Sequence, residues 1–315
     1  MPVARAHHFV PQFLLAGFTP LGSKEDFLWA FDRKTGKQWH TKPANVAHRK
    51  DFYRVDVPGV PPDVVESGLS KMESHSSNVI REIIRTKTIP RGDDYVTFMN
   101  FTALMSVRVP SGRDMINQGV DFISKQHLKA ALSTPESWAA ELHEARTAGV
   151  DIDEDAASYE TIKECLGKGR YTFAVDQNWR IKTMLELMGK LAPCFAPREW
   201  CLAISSSGGF ICSDRPVTVR FTRRKAAMDS PGLMREDTEI SFPLSRHVLL
   251  IGSWEPFKSH TIALTRKNIA LYNGITARHC ERFLFSSTKD FCWLDKDGKV
   301  RYDFDPLARP VQREE

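Results

Sequence analysis

The chain has 315 residues, 42% of them hydrophobic and 26% charged, which are globular proportions and exclude disorder, collagen and coiled coil as readings of the whole. Lys and Arg number 44 against 39 Asp and Glu, a net charge of +5 that tolerates polyanions without demanding them. No apolar run approaches the ~18 to 20 residues of a bilayer span, and no charged-then-apolar leader opens the chain. The six cysteines follow neither C-x-x-C nor a His/Cys zinc spacing, so buried free thiols in a cytoplasmic protein without a membrane partner are expected.

Residues 27–31 (FLWAF) are strand-like, the charged turn Asp32 to Lys37 carries a glycine, and Gln38 to Thr41 returns as a second strand. Phe52 to Asp56 has the composition of another short strand. From Pro62 the period becomes helical: Val65, Leu69, Met72, Val79, Ile80, Ile83 and Ile84 describe an amphipathic helix of about six turns. Asp94 to Val107 and Arg113 to Leu132 predict two more helices, separated by Val109-Pro110-Ser111-Gly112. Another opens at Pro135 behind a Ser133-Thr134 cap, acids at 151–155 mark a loop, and Asn178 to Leu191 predicts the last long helix.

Strand patterns resume after Pro197, at 200–205, 209–212, 217–221, 239–243 and 247–251, then at 283–286 and 291–294 around a short helix at 265–276. The order β, then about 130 residues of helix, then β predicts an α+β fold. In it, the N- and C-terminal β segments (1–56 and 196–295) form one sheet layer around a helical insert (60–195), as a single body.

Several polar constellations stand out. His7-His8-x-x-Pro11-Gln12 offers an imidazole that works as base or ligand near neutrality, or a surface pair. Ser213-Asp214-Arg215-Pro216 delivers a hydroxyl and a carboxylate at a strand end, where they either serve a site or satisfy turn amides. Glu66 and Glu73, seven residues apart, share a helix face but are too distant to clamp one cation without a third element. Arg108 and Arg113 flank a helix junction suited to an anion or to cross-helix ion pairs. Two acid-free basic stretches, 33–50 and 215–228, either track a phosphate backbone or are solvated loops. No P-loop, G-x-G-x-x-G, H-E-x-x-H or G-x-S-x-G motif is present.

His7-His8-Phe9-Val10-Pro11-Gln12-Phe13-Leu14-Leu15-x-x-Phe18 resembles the "HH-x-VP-x-x-YL-x-x-F" opening of a large microbial family, domain of unknown function 4238. The resemblance continues through Trp29 to Lys37, Asp51-Phe52-Tyr53, Glu66 and Glu73, and Arg108-x-Pro110-x-x-Arg113. It runs on through Ser213-Asp214-Arg215-Pro216-Val217, Phe242 to Ser245, and 268–286, covering roughly residues 7 to 287. Leu14 stands where the family has an aromatic, and Arg215 where it has Asn, which sets a positive charge beside Asp214. The resemblance implies no reaction, but the matched residues His8, Asp32, Glu66, Glu73, Arg108, Arg113 and Asp214 are polar enough to suggest one pocket where sheet meets insert.

Two functions are consistent with these residues. A metal-dependent phosphodiesterase or nuclease would use His8, Asp214, Glu66 and Glu73 catalytically, with Mg or Mn on Asp214 and Glu73. Arg108, Arg113, His7, Gln12, Asp32 and Ser213 would then bind a nucleic-acid substrate, with His8 and Asp214 on the order of 3 to 6 Å apart. The alternative is a non-catalytic binding or interaction protein whose polar motifs form a structural network.

Overall fold

Short apolar strands at both ends of the chain and helical spacing between them produce an α+β protein. The computed structural model describes residues 5–169, 171–173, 175–223, 231–295 and 297–308. Strand β1 (Ala6–His8) and helix α1 (Gln12–Ala16) lead into β2 (Leu28–Asp32), β3 (Gln38–Thr41) and β4 (His48–Lys50). Helices α2 (Val64–Thr86), α3 (Gly92–Val107), α4 (Pro110–Ala131), α5 (Pro135–Thr147), α6 (Tyr159–Gly167) and α7 (Gln177–Phe195) follow. Then come β5 (Glu199–Ile204), β6 (Cys212–Ser213), β7 (Thr218–Phe221), β8 (Thr238–Ser245), β9 (Val248–Ser253) and β10 (Thr261–Ala263). After α8 (Arg266–His279) the chain forms β11 (Phe283–Ser286), β12 (Trp293–Leu294) and β13 (Val300–Arg301).

Two compact units emerge, one from residues up to Arg113 and from Ile181 onward, the other from Asp114–Arg180. The expected insert of 60–195 thus has different limits. Helices α2 and α3 belong to the first unit because their apolar faces have partners there: α2 buries Leu69, Val79, Ile80 and Ile83, and α3 is buried along most of its length from Phe98 to Val107. Phe101 of α3 meets Phe13 of α1 at a tilt (5.4 Å) and stacks on Phe242 of β8 (6.2 Å), tying three elements together.

The expected single sheet layer is also corrected. The hairpin β2–β3 joins the C-terminal strands in a four-stranded antiparallel sheet, β3-β2-β11-β6, with Asp32 opposite Phe283. Five other strands form a separate sheet, β10-β5-β9-β8-β7, parallel only between β10 and β5, and β12 pairs with β13. The central strand of the five, β9, is buried from Val248 to Ile251, the run of consecutive apolar residues that a strand covered on both faces requires. Pro243 has no N–H to give the ladder, and it sits where the β8–β9 register shifts. Strand β1 pairs with β4, so the expected strand at 52–56 is displaced to 48–50; Asp51, at φ 56°, ends the pairing. Phe31, Ile211, Leu284, Phe291, Trp293 and Phe304 pack in one core against the four-stranded sheet.

In the second unit, Thr134 caps α5 by accepting from Ser137 N–H, and Trp138 Nε1 donates to Ala157 O at 2.8 Å. Helix α6, nine residues with none buried, and the two- and three-residue strands β13 and β10 were too short to be legible in the sequence. Four cysteines are buried as expected, whereas Cys165 is exposed and Cys194 half-exposed. Among the described residues, no helix is long and apolar enough to cross a membrane.

Candidate functional site

Strand β1 alternates its side chains, so the two histidines part company. His7 turns inward and is 1% exposed; its Nδ1 accepts the Tyr53 N–H at 2.8 Å, and its ring stacks on Tyr53 with the planes 4° apart. His8 stands over His48 at 5.2 Å, and its Nε2–H donates to Ala44 O at 3.2 Å. Burial, then the neighbouring His48, push His8 down to about 4, so its ring is neutral near pH 7.

Arg108 ends α3, and Pro110 starts α4 in the next turn. Gly112 is required there, because a Cβ would lie 2.2 Å from Val107 O. The turn sends the Arg108 guanidinium into the interior, where its side chain is fully buried. Nη1 donates to Glu73 Oε1 at 2.7 Å, Nη2 to His8 O at 2.5 Å and Nε to Tyr53 Oη at 3.3 Å. Tyr53 Oη in turn donates to Arg108 O at 2.8 Å. Burial opposes the charge, but Tyr53 and Glu73 outweigh it and hold the guanidinium protonated. Glu66, two helical turns before Glu73, has a buried Oε2 with no hydrogen-bond partner among the described residues. Burial raises its carboxyl above the ordinary range and Glu73 adds to this, while His7 and Arg108 pull the other way.

His7, Glu73, Arg108 and the His8 carbonyl therefore share one hydrogen-bonded network with Tyr53, and Glu66 is coupled to it through charge. Arg113 remains beside it: Nη2 donates to Phe52 O at 2.7 Å, and the guanidinium lies 4.0 Å over the Phe52 ring. Gln12 begins α1, half-buried.

A second cluster forms where β6 meets β11. Asp214 is 2% exposed; Oδ1 accepts from Glu281 N, and Oδ2 from Arg282 N and Phe283 N, all within 2.9 Å. Burial raises its carboxyl above the usual range, against the opposing pull of those amides. Ser213 Oγ donates to Arg215 O and accepts from Arg215 N–H, closing a turn. Asp32 accepts from Lys34 N and Thr35 N in its own turn, and from Arg282 Nη2 at 2.6 Å. Although burial raises it, Arg282 and the turn amides win, and the Asp32 carboxyl lies below its ordinary value.

The metal expectation does not fit these residues. Both Asp214 oxygens face backbone donors, Glu73 faces Arg108, and among the described residues no three His, Cys, Asp or Glu side chains are grouped to hold an ion. Asp214 lines a cavity of about 310 Å³ with Trp39, His48, Arg49, Arg282 and Phe283, and His8 is not part of its wall. Trp39 and Phe283 are edge to face at 6.2 Å there, and Arg49 faces Glu281 at 3.7 Å.

The basic stretches are absorbed in part. Arg33 is buried, donating to Leu307 O and Ala277 O; Lys42 pairs with Glu25, and Arg220 with Glu239. Arg224 and Lys225 lie outside the described residues. Tyr53 and Arg282 were not anticipated as site residues. Tyr53 had a trace in Asp51-Phe52-Tyr53, whereas nothing in local spacing links Arg282 to Asp32, 250 positions away.

A family model described as protein of unknown function (DUF4238) matches residues 6–290, and the chain belongs to that family. No curated protein and no solved structure is significantly similar to it.

Proposed function

We propose that this is a non-catalytic binding protein whose histidine, carboxylate and arginine motifs frame a small-ligand cavity at Trp39, His48 and Arg282. The observation that carries this reading is Arg108. It is buried and hydrogen-bonded through Nε, Nη1 and Nη2 to groups from three separate segments. Asp214 supports it in the same way, since its oxygens hold the backbone of residues 281–283 against β6. A nuclease would need at least one of these carboxylates open to a divalent ion and an arginine open to phosphate.

The cavity has the character of a ligand site: aromatic walls from Trp39 and Phe283, with a few charged groups that are already paired. That lining suits a planar, polar molecule better than a free polyanion. The test is a cleavage assay on RNA and DNA with Mg or Mn, run beside thermal melts of Glu73→Gln and Asp214→Asn. The expected result is no cleavage above background and a lowered melting temperature for both variants. Metal-dependent cleavage abolished by either substitution at an unchanged melting temperature would overturn the proposal. A thermal-shift screen of planar heteroaromatic compounds should give hits that Trp39→Ala loses.

A further inference from the structure

A second cavity, of about 400 Å³, lies between α1, the C-terminal half of the chain's long helix α2 near Ile80 and the β8–β9 turn. Its charged lining consists of Lys24, Arg81 and Arg246, and no carboxylate takes part in the wall. None of the three cations has an acidic partner among the described residues. Arg81 donates only to Asn78 Oδ1, and Arg246 only through Nε to His247 Nε2 at 2.9 Å. This contrasts with Arg49, Arg108, Arg220 and Arg282, each of which faces a carboxylate.

Arg246 is held in place. Its backbone N–H donates to Gly17 O at 2.8 Å, and its carbonyl accepts from Phe210 N–H. His247 Nδ1 lies 2.9 Å from Ser205 O, a carbonyl that can only accept, so Nδ1 carries the proton and Nε2 is free to accept from the Arg246 Nε–H. The two terminal NH2 groups of Arg246 have no partner among the described residues. Gly17 lets α1 approach this turn, since a Cβ there would come within 2.9 Å of Leu244 O. The rest of the wall includes the apolar residues Phe13, Ile80, Ile84 and Leu244.

We infer that this cavity binds a small organic phosphate monoester, its phosphoryl group among Lys24, Arg81 and Arg246 and its apolar body on Phe13 and Ile80. A phosphate monoester carries a charge of about −1.5 to −2 near neutrality, which matches several unpaired cations better than a monocarboxylate does. The guanidinium forks of Arg81 and Arg246 suit its oxygens. The apolar half of the wall and the volume exceed what inorganic phosphate can use. The site is separate from the Arg108 network and stands whether or not that network is catalytic.

The test is calorimetric titration of the full chain with phenyl phosphate and with inorganic phosphate, at fixed ionic strength in chloride. Phenyl phosphate should bind about tenfold more tightly than inorganic phosphate. Arg246→Gln, Arg81→Gln and Lys24→Gln should each weaken it about tenfold or more, the loss of one charged hydrogen bond. Their melting temperatures should stay within about 2 °C of the parent, since no ion pair is broken. Lys71→Gln, at an exposed position outside the cavity, should bind as the parent does. No binding of phenyl phosphate, binding unchanged in the three variants, or equal affinity for the two phosphates overturns the inference.

Discussion

Replacing Arg108 by Gln separates a structural guanidinium from one that waits for a ligand. The substitution removes the positive charge and the donors to Glu73 Oε1, His8 O and Tyr53 Oη. Breaking a buried pair by removing one member costs about 3 to 5 kcal/mol, because the remaining charge is left uncompensated. Here the stranded partner is Glu73, whose side chain is 24% exposed and can recover some hydration. The lower end, about 3 kcal/mol, is therefore expected. Tyr53 keeps its own bond to the residue 108 carbonyl, which a side-chain change leaves in place. At roughly 2 to 4 °C per kcal/mol for a domain of this size class, the melting temperature should fall by about 6 to 12 °C. Circular dichroism melts of parent and variant read this directly. The double variant Arg108→Met/Glu73→Leu should recover at least half of the loss, since an apolar pair of similar volume leaves no charge behind. A single variant that melts within about 2 °C of the parent would refute the structural reading and return Arg108 to the role of an anion ligand.

His8 should make stability pH-dependent: its folded value of about 4 lies below the ordinary 6.5, so between these values the unfolded chain binds the proton and the folded one does not. Stability is therefore complete above about pH 6.5 and declines as pH falls toward 4, by up to about 3 kcal/mol at 1.4 kcal/mol per pH unit, or about 1 to 2 once partial solvent screening is allowed for. Urea unfolding near pH 7 and near pH 4.5 should show a smaller difference for His8→Gln than for the parent, and an NMR titration placing His8 near 6.5 would contradict this. Asp214→Ala removes the acceptor for three amides and should cost about 3 kcal/mol in a chemical melt, with Asp214→Asn, which keeps one oxygen, falling between it and the parent. Gly112→Ala forces a methyl against Val107 O and should cost about 1 to 3 kcal/mol; a neutral effect on the melt would mean that the Arg108 turn is looser than described.

Periodicity and turn chemistry were readable in the chain: Leu69, Val79, Ile80 and Ile83 at helical spacing became the buried face of α2, and Asp32 to Lys37 became the turn between β2 and β3. These are local properties, set by side chains within a few residues of one another, and they suffice to assign α+β. The polar motifs were visible too, but whether they were open or closed was not. Asp214 and Glu73 read as ligands for an ion, and Arg108 as a phosphate ligand, because a sequence shows each charge without its partner. The partners come from distant segments: Arg108 reaches His8 across 100 positions, and Asp214 reaches Phe283 across 69. The same holds for the separation of strands into distinct sheets, which depends on which edges pair, and for the acid-free cavity, where Lys24, Arg81 and Arg246 meet from three parts of the chain. Local spacing carries propensity, whereas neutralisation and cavity shape are long-range quantities that exist only once the chain has closed on itself.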